Sequence, residues 1–315
     1  MRISGTGSVL PRKVVTNDML SQFLDTSDEW IRTRTGVKSR HVISDERLED
    51  MAIEAARKAL DDAGVAVSEL DFIICSNVVN EYITPQLSCI IQGGIGASCP
   101  CIDINCACAG FIYSLEIAES FYRSGRVKNV LVVCAEEPSR MTDWSDRRTC
   151  VLFGDGAGAA VLTPGDNIRS IKLSASSATD KLWQYRKLQP TPYITKEEDD
   201  VPLQMKGQDV FKFAVKAASR DITRVLTESG CSKDDVDHYL LHQANIRIIN
   251  AIQEFMEQPV EKFPTNVEDH GNSSSSSCPI LLDECNRKGL FRKGDLIVIS
   301  AFGAGFVSGA LLLEW

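Results

Sequence analysis

Between residues 51 and 63 the apolar positions Met51, Ile53, Ala55, Ala56, Ala59 and Leu60 recur with the period of one helix face, and Gly64 supplies a stop. Glu69-Leu70-Asp71 then leads into Phe72-Ile73-Ile74-Cys75, an unbroken apolar run that predicts a strand covered on both faces. The same order returns downstream as a helix over residues 210–228, Gly230, Asp235-Val236-Asp237 and a strand at Tyr239-Leu240-Leu241. Gly64 and Gly230 stand 166 positions apart, as do Asp71 and Asp237. A third pair keeps that offset: Val130-Leu131-Val132-Val133-Cys134-Ala135 matches Leu296-Ile297-Val298-Ile299-Ser300-Ala301. Each of these runs enters a glycine-rich turn and a further apolar strand, at Ala159-Ala160-Val161-Leu162 and Ala310-Leu311-Leu312-Leu313.

Three matches at one offset predict a duplicated α/β chain with a first half over residues 1–167 and a second over 168–315. Such halves would pack about a pseudo-twofold axis and bring equivalent loops together, so their junction is the expected place for chemistry. Residues 174–206 are richer in Ser, Thr, Pro and charge, including the run Lys196-Glu197-Glu198-Asp199-Asp200, and predict a loop or hairpin region.

Composition narrows the partners. A chain of 315 residues, 43% hydrophobic, is long enough for a sizeable core. Its net charge of -9 excludes nucleic-acid binding through overall electrostatics, so an anionic partner must use a local basic patch. The start Met1-Arg2-Ile3-Ser4-Gly5 lacks an apolar signal segment, and no run approaches the roughly 20 apolar residues of a membrane span. A cytoplasmic protein without membrane or nucleic-acid partners is expected. Eleven cysteines without a secretory pattern predict reduced thiols, and Cys75, Cys134 and Cys150 lie in apolar runs where cysteine packs as a small hydrophobe.

Cys108 differs from these. Cys101-Ile102-Asp103-Ile104-Asn105, then Cys106-Ala107-Cys108-Ala109-Gly110-Phe111, then residues 112–122 read as strand, tight turn and helix. A thiol at that turn would meet unpaired helix N–H groups, which favour the thiolate, and its small neighbours leave room for a substrate. Two other readings stand beside the nucleophile: a buried packing thiol, or a metal ligand with Cys99, Cys101 and Cys106. The C-x-C pairs lack the usual zinc-site gap and flank a strand, so no metal is expected. His242 falls where an apolar strand gives way to a helix over 246–256. Asn272 sits in His270-Gly271-Asn272-Ser273-Ser274, either as a polar site group or as a helix cap. The offset pairs Cys108 with Ser274 and His242 with Ser76. Residues 301–306, Ala-Phe-Gly-Ala-Gly-Phe, form either an oxyanion hole of backbone N–H groups or a plain hairpin turn. Gly303-x-Gly305 and the 154–158 glycines fit no dinucleotide fingerprint, because no helix with an acidic ribose ligand follows either.

Taken together, Thr26-Ser27-Asp28-Glu29-Trp30-Ile31, Thr33-Arg34-Thr35-Gly36, Ala107 to Phe111, Phe153-Gly154-Asp155-Gly156-Ala157, His242-Gln243-Ala244-Asn245 and Gly271-Asn272-Ser273 resemble the β-ketoacyl-[acyl carrier protein] synthase III family of the thiolase superfamily. The resemblance covers the whole chain. It implies a thiolase-like α/β fold in alternating αβαβα layers and a Cys-His-Asn triad at Cys108, His242 and Asn272. It implies ping-pong chemistry: an acyl-CoA acylates Cys108, amides of Cys108 and Ala304 hold the oxyanion, and a malonyl-[acyl carrier protein] is decarboxylated and condensed to a 3-oxoacyl thioester. Coenzyme A enters only as substrate, and no cofactor is implied. CoA contacts are implied at Trp30, Arg34, Arg147, Gly207, Phe211, Asn245 and Arg247, and a homodimer is implied as well.

Lys212, Lys216, Arg220 and Arg224 recur every four residues as a basic stripe, which fits either docking of an acidic carrier protein or a solvated helix face. Two places depart from the family pattern, one of them a pair of residues. Gln253-Glu254 replaces basic residues at a usual carrier contact, and Thr84 before Pro85 replaces a bulky aromatic near the acyl pocket, which predicts room for a longer or branched acyl group. The rival functions are a specialised-metabolism enzyme of the same type with a different acceptor, and a non-catalytic cysteine-rich metal-binding or scaffold protein.

Overall fold

The computed structural model describes residues 1–186, 189, 191–193 and 201–315. The first half opens with β1 (Arg2–Val9), β2 (Lys13–Thr16), α1 (Asn17–Leu20), α2 (Asp28–Thr35) and β3 (Ser39–Val42). It continues with α3 (Leu48–Ala63), β4 (Phe72–Ser76), α4 (Leu87–Ile95), β5 (Cys101–Ile104), α5 (Gly110–Arg123), β6 (Val130–Glu136) and β7 (Gly156–Thr163). The second half runs through β8 (Ile168–Ala175), β9 (Leu182–Trp183), β10 (Gln204–Met205), α6 (Gly207–Ser229) and β11 (His238–Leu241). It closes with α7 (Ile246–Met256), α8 (Val267–His270), α9 (Ser277–Arg287), β12 (Leu296–Gly303) and β13 (Val307–Glu314).

Both long helices expected from apolar periodicity form, and each stops at its glycine: Gly64 after α3 and Gly230 after α6 have φ of 63° and 68°, the left-handed backbone that glycine adopts without strain. α3 begins three residues before the apolar stripe, at Leu48, and α6 likewise three before its own, at Gly207; Glu49-Asp50 and Gln208-Asp209 interrupt the apolar period there. Across residues 174–206, a two-residue ladder pairs Leu182 and Trp183 with Met205 and Gln204, while the charged run at 196–200 lies outside the described residues.

The two main sheets share one plan. The first has the order β1-β7-β6-β4-β5, and the second β8-β13-β12-β11. In both, two antiparallel pairs lead to a parallel pair, β6 with β4 and β12 with β11, and the first sheet adds a second parallel pair, β4 with β5. α3 and α4 cover the outer face of the first sheet, with Ala52, Ala55, Ala56 and Ala59 letting the helix lie close to β1 and β7. α6 and α7 cover the outer face of the second. Between the sheets lie α5 and α9, whose Phe111, Leu115, Leu281 and Leu282 are buried against both. Five layers result, and the first turns of the two central helices meet at the middle of the molecule.

Cys75, Cys134 and Cys150 are buried, in keeping with their apolar runs, and all eleven cysteines are free thiols. No described helix is long and apolar enough to cross a membrane.

Candidate active site

Cys108 occupies a one-turn 3-10 segment, Ala107–Ala109, that joins β5 to α5. Ala107 carries a left-handed φ of 44°, which reverses the chain after the strand and points the next residues at the junction. The turn is pinned from the other half: a Cβ placed on Gly303 at the end of β12 would lie 2.7 Å from the Cys108 amide nitrogen.

His242 follows β11, and its amide bonds to Ser300 O at 2.8 Å, which continues the parallel ladder one residue past the strand. Its Nδ1 lies 2.7 Å from Ser277 Oγ in the first turn of α9. With Nδ1 occupied, Nε2 is the nitrogen left for the cavity that His242 lines. The Phe302 ring packs edge-on against the imidazole at 5.2 Å.

Asn272 is held by the first half of the chain. Its amide donates to Leu152 O at 2.8 Å, and its carbonyl accepts from Gly154 N at 3.1 Å. The side-chain oxygen accepts from Ser274 N at 2.9 Å, so Asn272 caps the serine-rich turn with one atom and keeps its Nδ2 donor for the cavity.

Cys108, His242 and Asn272 therefore line one cavity of about 520 Å³. A second cavity of about 430 Å³, walled by Ala304, Val307, Met141 and Trp183, also opens on Cys108 and shares Phe153 and Leu182 with the first. The sulfur thus stands between two compartments. Among the described residues no cluster of three or more His, Cys, Asp or Glu converges as a metal site.

The electrostatics correct one expectation. The turn was expected to lower the Cys108 thiol, yet burial pushes it up to about 12, and the hydrogen bond from Ser274 Oγ at 3.5 Å only partly opposes that. Desolvation of the sulfur outweighs the hydrogen bonds that favour the thiolate. Burial likewise pushes His242 down to about 3, so the imidazole is neutral at physiological pH. Glu136, at the end of β6, is pushed up to about 7 by burial.

Gly207, Phe211, Asn245 and Arg247 line the first cavity, with Arg247 over the Phe211 ring at 6.0 Å. Trp30, Arg34 and Arg147 do not line it; they form their own cluster, in which both guanidinium groups lie over the indole at 4.5 and 4.9 Å. Asn245 joins the two groups by donating from Nδ2 to Arg34 O at 3.1 Å. Thr84 is exposed and lines neither cavity. Lys212, Lys216, Arg220 and Arg224 are exposed along α6, and the first three border a shallow depression beside Phe255. Arg220 is partly neutralised by Asp221 at 2.8 Å.

Ser277, Glu136, Phe302 and the Phe213–Phe306 pair, stacked at 4.0 Å, escaped sequence reasoning. Ser277 gave no signal of its own, Phe302 and Phe306 were read only as part of the 301–306 turn, and Phe213 fell within the helix predicted over 210–228.

Comparison with known proteins places the chain among condensing enzymes. The model of the 3-oxoacyl-[acyl-carrier-protein (ACP)] synthase III family matches residues 102–180, and the model of the family's C-terminal part matches residues 226–315. The β-ketoacyl-[acyl-carrier-protein] synthase III of Xanthomonas axonopodis pv. citri is 44% identical over 319 residues, covering 100% of this chain and 98% of that protein. The crystal structure of 3-oxoacyl-[acyl-carrier-protein] synthase III from Aquifex aeolicus VF5 superposes with a TM-score of 0.93 at 40% identity, covering 100% of this chain and 99% of that one. The synthase III structure from Thermus thermophilus gives 0.94 at 35% identity, with 100% and 99% covered.

Proposed function

The chain belongs to the 3-oxoacyl-[acyl-carrier-protein] synthase III family and has its thiolase-like fold, and from this premise we propose how its own residues perform the condensation. It joins an acyl-CoA starter to malonyl-[acyl carrier protein], giving a 3-oxoacyl-[acyl carrier protein] and initiating fatty acid synthesis. We read residues 1–167 and 168–315 as duplicated halves, a reading supported by the shared strand order.

Cys108 Sγ attacks the acyl thioester and coenzyme A departs; the oxyanion is held by the amides of Cys108 and Ala304. Malonyl-[acyl carrier protein] then enters the first cavity, where its thioester oxygen accepts hydrogen bonds from His242 and Asn272. Carbon dioxide leaves, and the enolate carbon attacks the acyl group and frees the sulfur. A neutral histidine suits this step, because it donates to the enolate oxygen without delivering a proton to the carbanion. The observation that carries the reading is the convergence of Cys108 from one half with His242 and Asn272 from the other on one cavity.

Gly207, Phe211, Asn245 and Arg247 would flank the pantetheine arm, with Trp30, Arg34 and Arg147 toward the nucleotide, where arginine serves both phosphate and ring. The second cavity would take the acyl group. The exposed stripe of Lys212, Lys216, Arg220 and Arg224 would dock the acidic carrier, and a homodimer would bring Thr84 of one copy near the acyl pocket of the other. Eleven free thiols fit cytoplasmic residence, and coenzyme A is used as substrate with no cofactor.

Intact-mass measurement with acetyl-, isobutyryl- and hexanoyl-CoA tests the reading. Acyl mass is expected on the wild type and not on Cys108→Ala, and malonyl-[acyl carrier protein] should discharge it as a 3-oxoacyl product. Wild-type protein that gains no acyl mass from any of the three rules the reading out.

A further inference from the structure

Glu136 ends β6 inside the protein with 1% of its surface exposed. Its Oε1 accepts from Ser275 Oγ at 2.5 Å and from Ser274 Oγ at 3.3 Å, and its Oε2 accepts from the Val78 amide at 3.2 Å. None of the described lysines or arginines forms an ion pair with it. The titratable groups facing it are the thiols of Cys75 from β4, Cys134 from its own strand and Cys108 from the 107–109 turn. A buried carboxyl with no cation is costly and calls for a reason. The fold does not supply one: the duplication offset places Phe302 at the equivalent end of β12, so the same architecture tolerates an apolar side chain there.

A continuous path leads from this carboxyl to the reactive sulfur. Ser274 Oγ lies 3.3 Å from Glu136 Oε1 and 3.5 Å from Cys108 Sγ, and a hydroxyl can accept from one neighbour while donating to the other. Ser274 lines the second cavity, whereas His242 lines the first, so the path leaves the face of the sulfur shared with His242 and Asn272 open to the thioester.

We propose that Ser274 and Glu136 form a proton relay for Cys108, an assignment that rests on Cys108 being the nucleophile. During acylation the S–C bond to the acyl carbon forms as the Cys108 S–H bond breaks; that proton passes to Ser274 Oγ, and the Ser274 hydroxyl proton passes to Glu136 Oε1. Coenzyme A leaves as a thiolate and takes a proton from water. During condensation, attack of the enolate breaks the S–C bond, the sulfur keeps the electron pair, and Glu136 returns its proton through Ser274. Glu136 is thus protonated once and deprotonated once per turnover, and the single proton consumed overall is the one coenzyme A receives.

Burial holds Glu136 at about 7, so its ionised fraction grows across neutral pH while the Cys108 thiol, at about 12, stays protonated. Rapid-quench intact-mass measurement of single-turnover acylation by acetyl-CoA and hexanoyl-CoA, from pH 5.5 to 9, reads the relay directly. The wild-type rate should rise through neutral pH and then level. Glu136→Gln should lose that inflection and acylate about 10²-fold more slowly at pH 8, Glu136→Asp should regain part of both, and Ser274→Ala should behave as Glu136→Gln. Should Glu136→Gln not fold, Ser274→Ala decides, since it leaves the Ser275 bond to Glu136 in place. The relay is overturned if a folded Glu136→Gln or Ser274→Ala protein keeps the wild-type inflection, whether or not its rate is reduced at every pH. Failure of the nucleophile assignment looks different: the wild type stays unacylated, or Cys108→Ala is acylated.

Discussion

Cys108 Sγ and Ser274 Oγ lie 3.5 Å apart, and the two residues are separated by the same 166 positions that relate the matching runs of the two halves. Equivalent residues of a duplicated chain touch only where the axis relating the copies passes between them. On our reading of the chain as two duplicated halves, Cys108 and Ser274 therefore sit at that axis, each in the turn that precedes a central helix. The chemistry differs on its two sides: His242 and Phe302 stand at the strand ends of one, Ser76 and Glu136 at those of the other.

The His242 tautomer depends on Ser277. Its Oγ at 2.7 Å from Nδ1 fixes which nitrogen faces the cavity, and Ser277→Ala leaves a buried ring nitrogen unpaired. The expected cost is about 1–2 kcal/mol in the condensation step, roughly tenfold in kcat. Acylation of Cys108, which does not use the imidazole in our reading, should keep its wild-type rate. Steady-state condensation beside single-turnover acylation checks this, and equal slowing of both would refute it.

Glu136 also leaves a mark on stability. Its carboxyl titrates at about 7 in the folded protein against an ordinary value of 4.5. Below both values the acid is protonated in either state and makes no difference. As pH rises from 4.5 through 7 the unfolded chain alone releases the proton, so folding loses up to about 3 kcal/mol. Glu136→Gln cannot titrate. Between pH 5 and pH 8 the stability of Glu136→Gln relative to wild type should move in the variant's favour, read from urea midpoints. A difference that stays constant over that range would contradict the burial assigned to this carboxyl.

Trp30 holds the guanidinium groups of Arg34 and Arg147 over its ring at 4.5 and 4.9 Å, apart from the cavity that contains Cys108. If the cluster serves only to grip the nucleotide end of the substrate, Trp30→Ala should raise KM for acyl-CoA about five- to tenfold and leave kcat unchanged. Initial rates against acyl-CoA concentration give both numbers, and an unaltered KM would remove the cluster from the binding site.

The repeat offset, the two long helices and the buried strands were legible in sequence because apolar period and glycine stops are local properties. The turn at Cys108 was legible for the same reason. What escaped was set by neighbours far along the chain. Desolvation of the Cys108 thiol, which reverses its expected shift, arises where the second half closes on the 107–109 turn through Gly303 and Ser274, and no pattern near residue 108 encodes it. Ser277 became an imidazole partner only when α9 was placed beside the end of β11. Glu136 drew no reading from the sequence, because the serines that close over it, Ser274 and Ser275, stand 138 and 139 positions away.

Gly303 gives the most direct test of how the close approach of β12 holds Cys108 in place. A methyl group on its Cα would meet the Cys108 amide nitrogen at 2.7 Å and Ala107 Cβ at 3.0 Å, and neither is the free end of a flexible side chain. Gly303 is held in the ladder by Val307 of β13, so the 107–109 turn must yield instead. That movement displaces the sulfur and its amide together, and displacement of about 1 Å at a reacting group costs on the order of 10²-fold in rate. Gly303→Ala should therefore acylate about 10²-fold more slowly, while thermal unfolding shows a folded protein destabilised by about 1–3 kcal/mol. Acylation at the wild-type rate would mean that the close approach of β12 to the turn does not hold Cys108 in place.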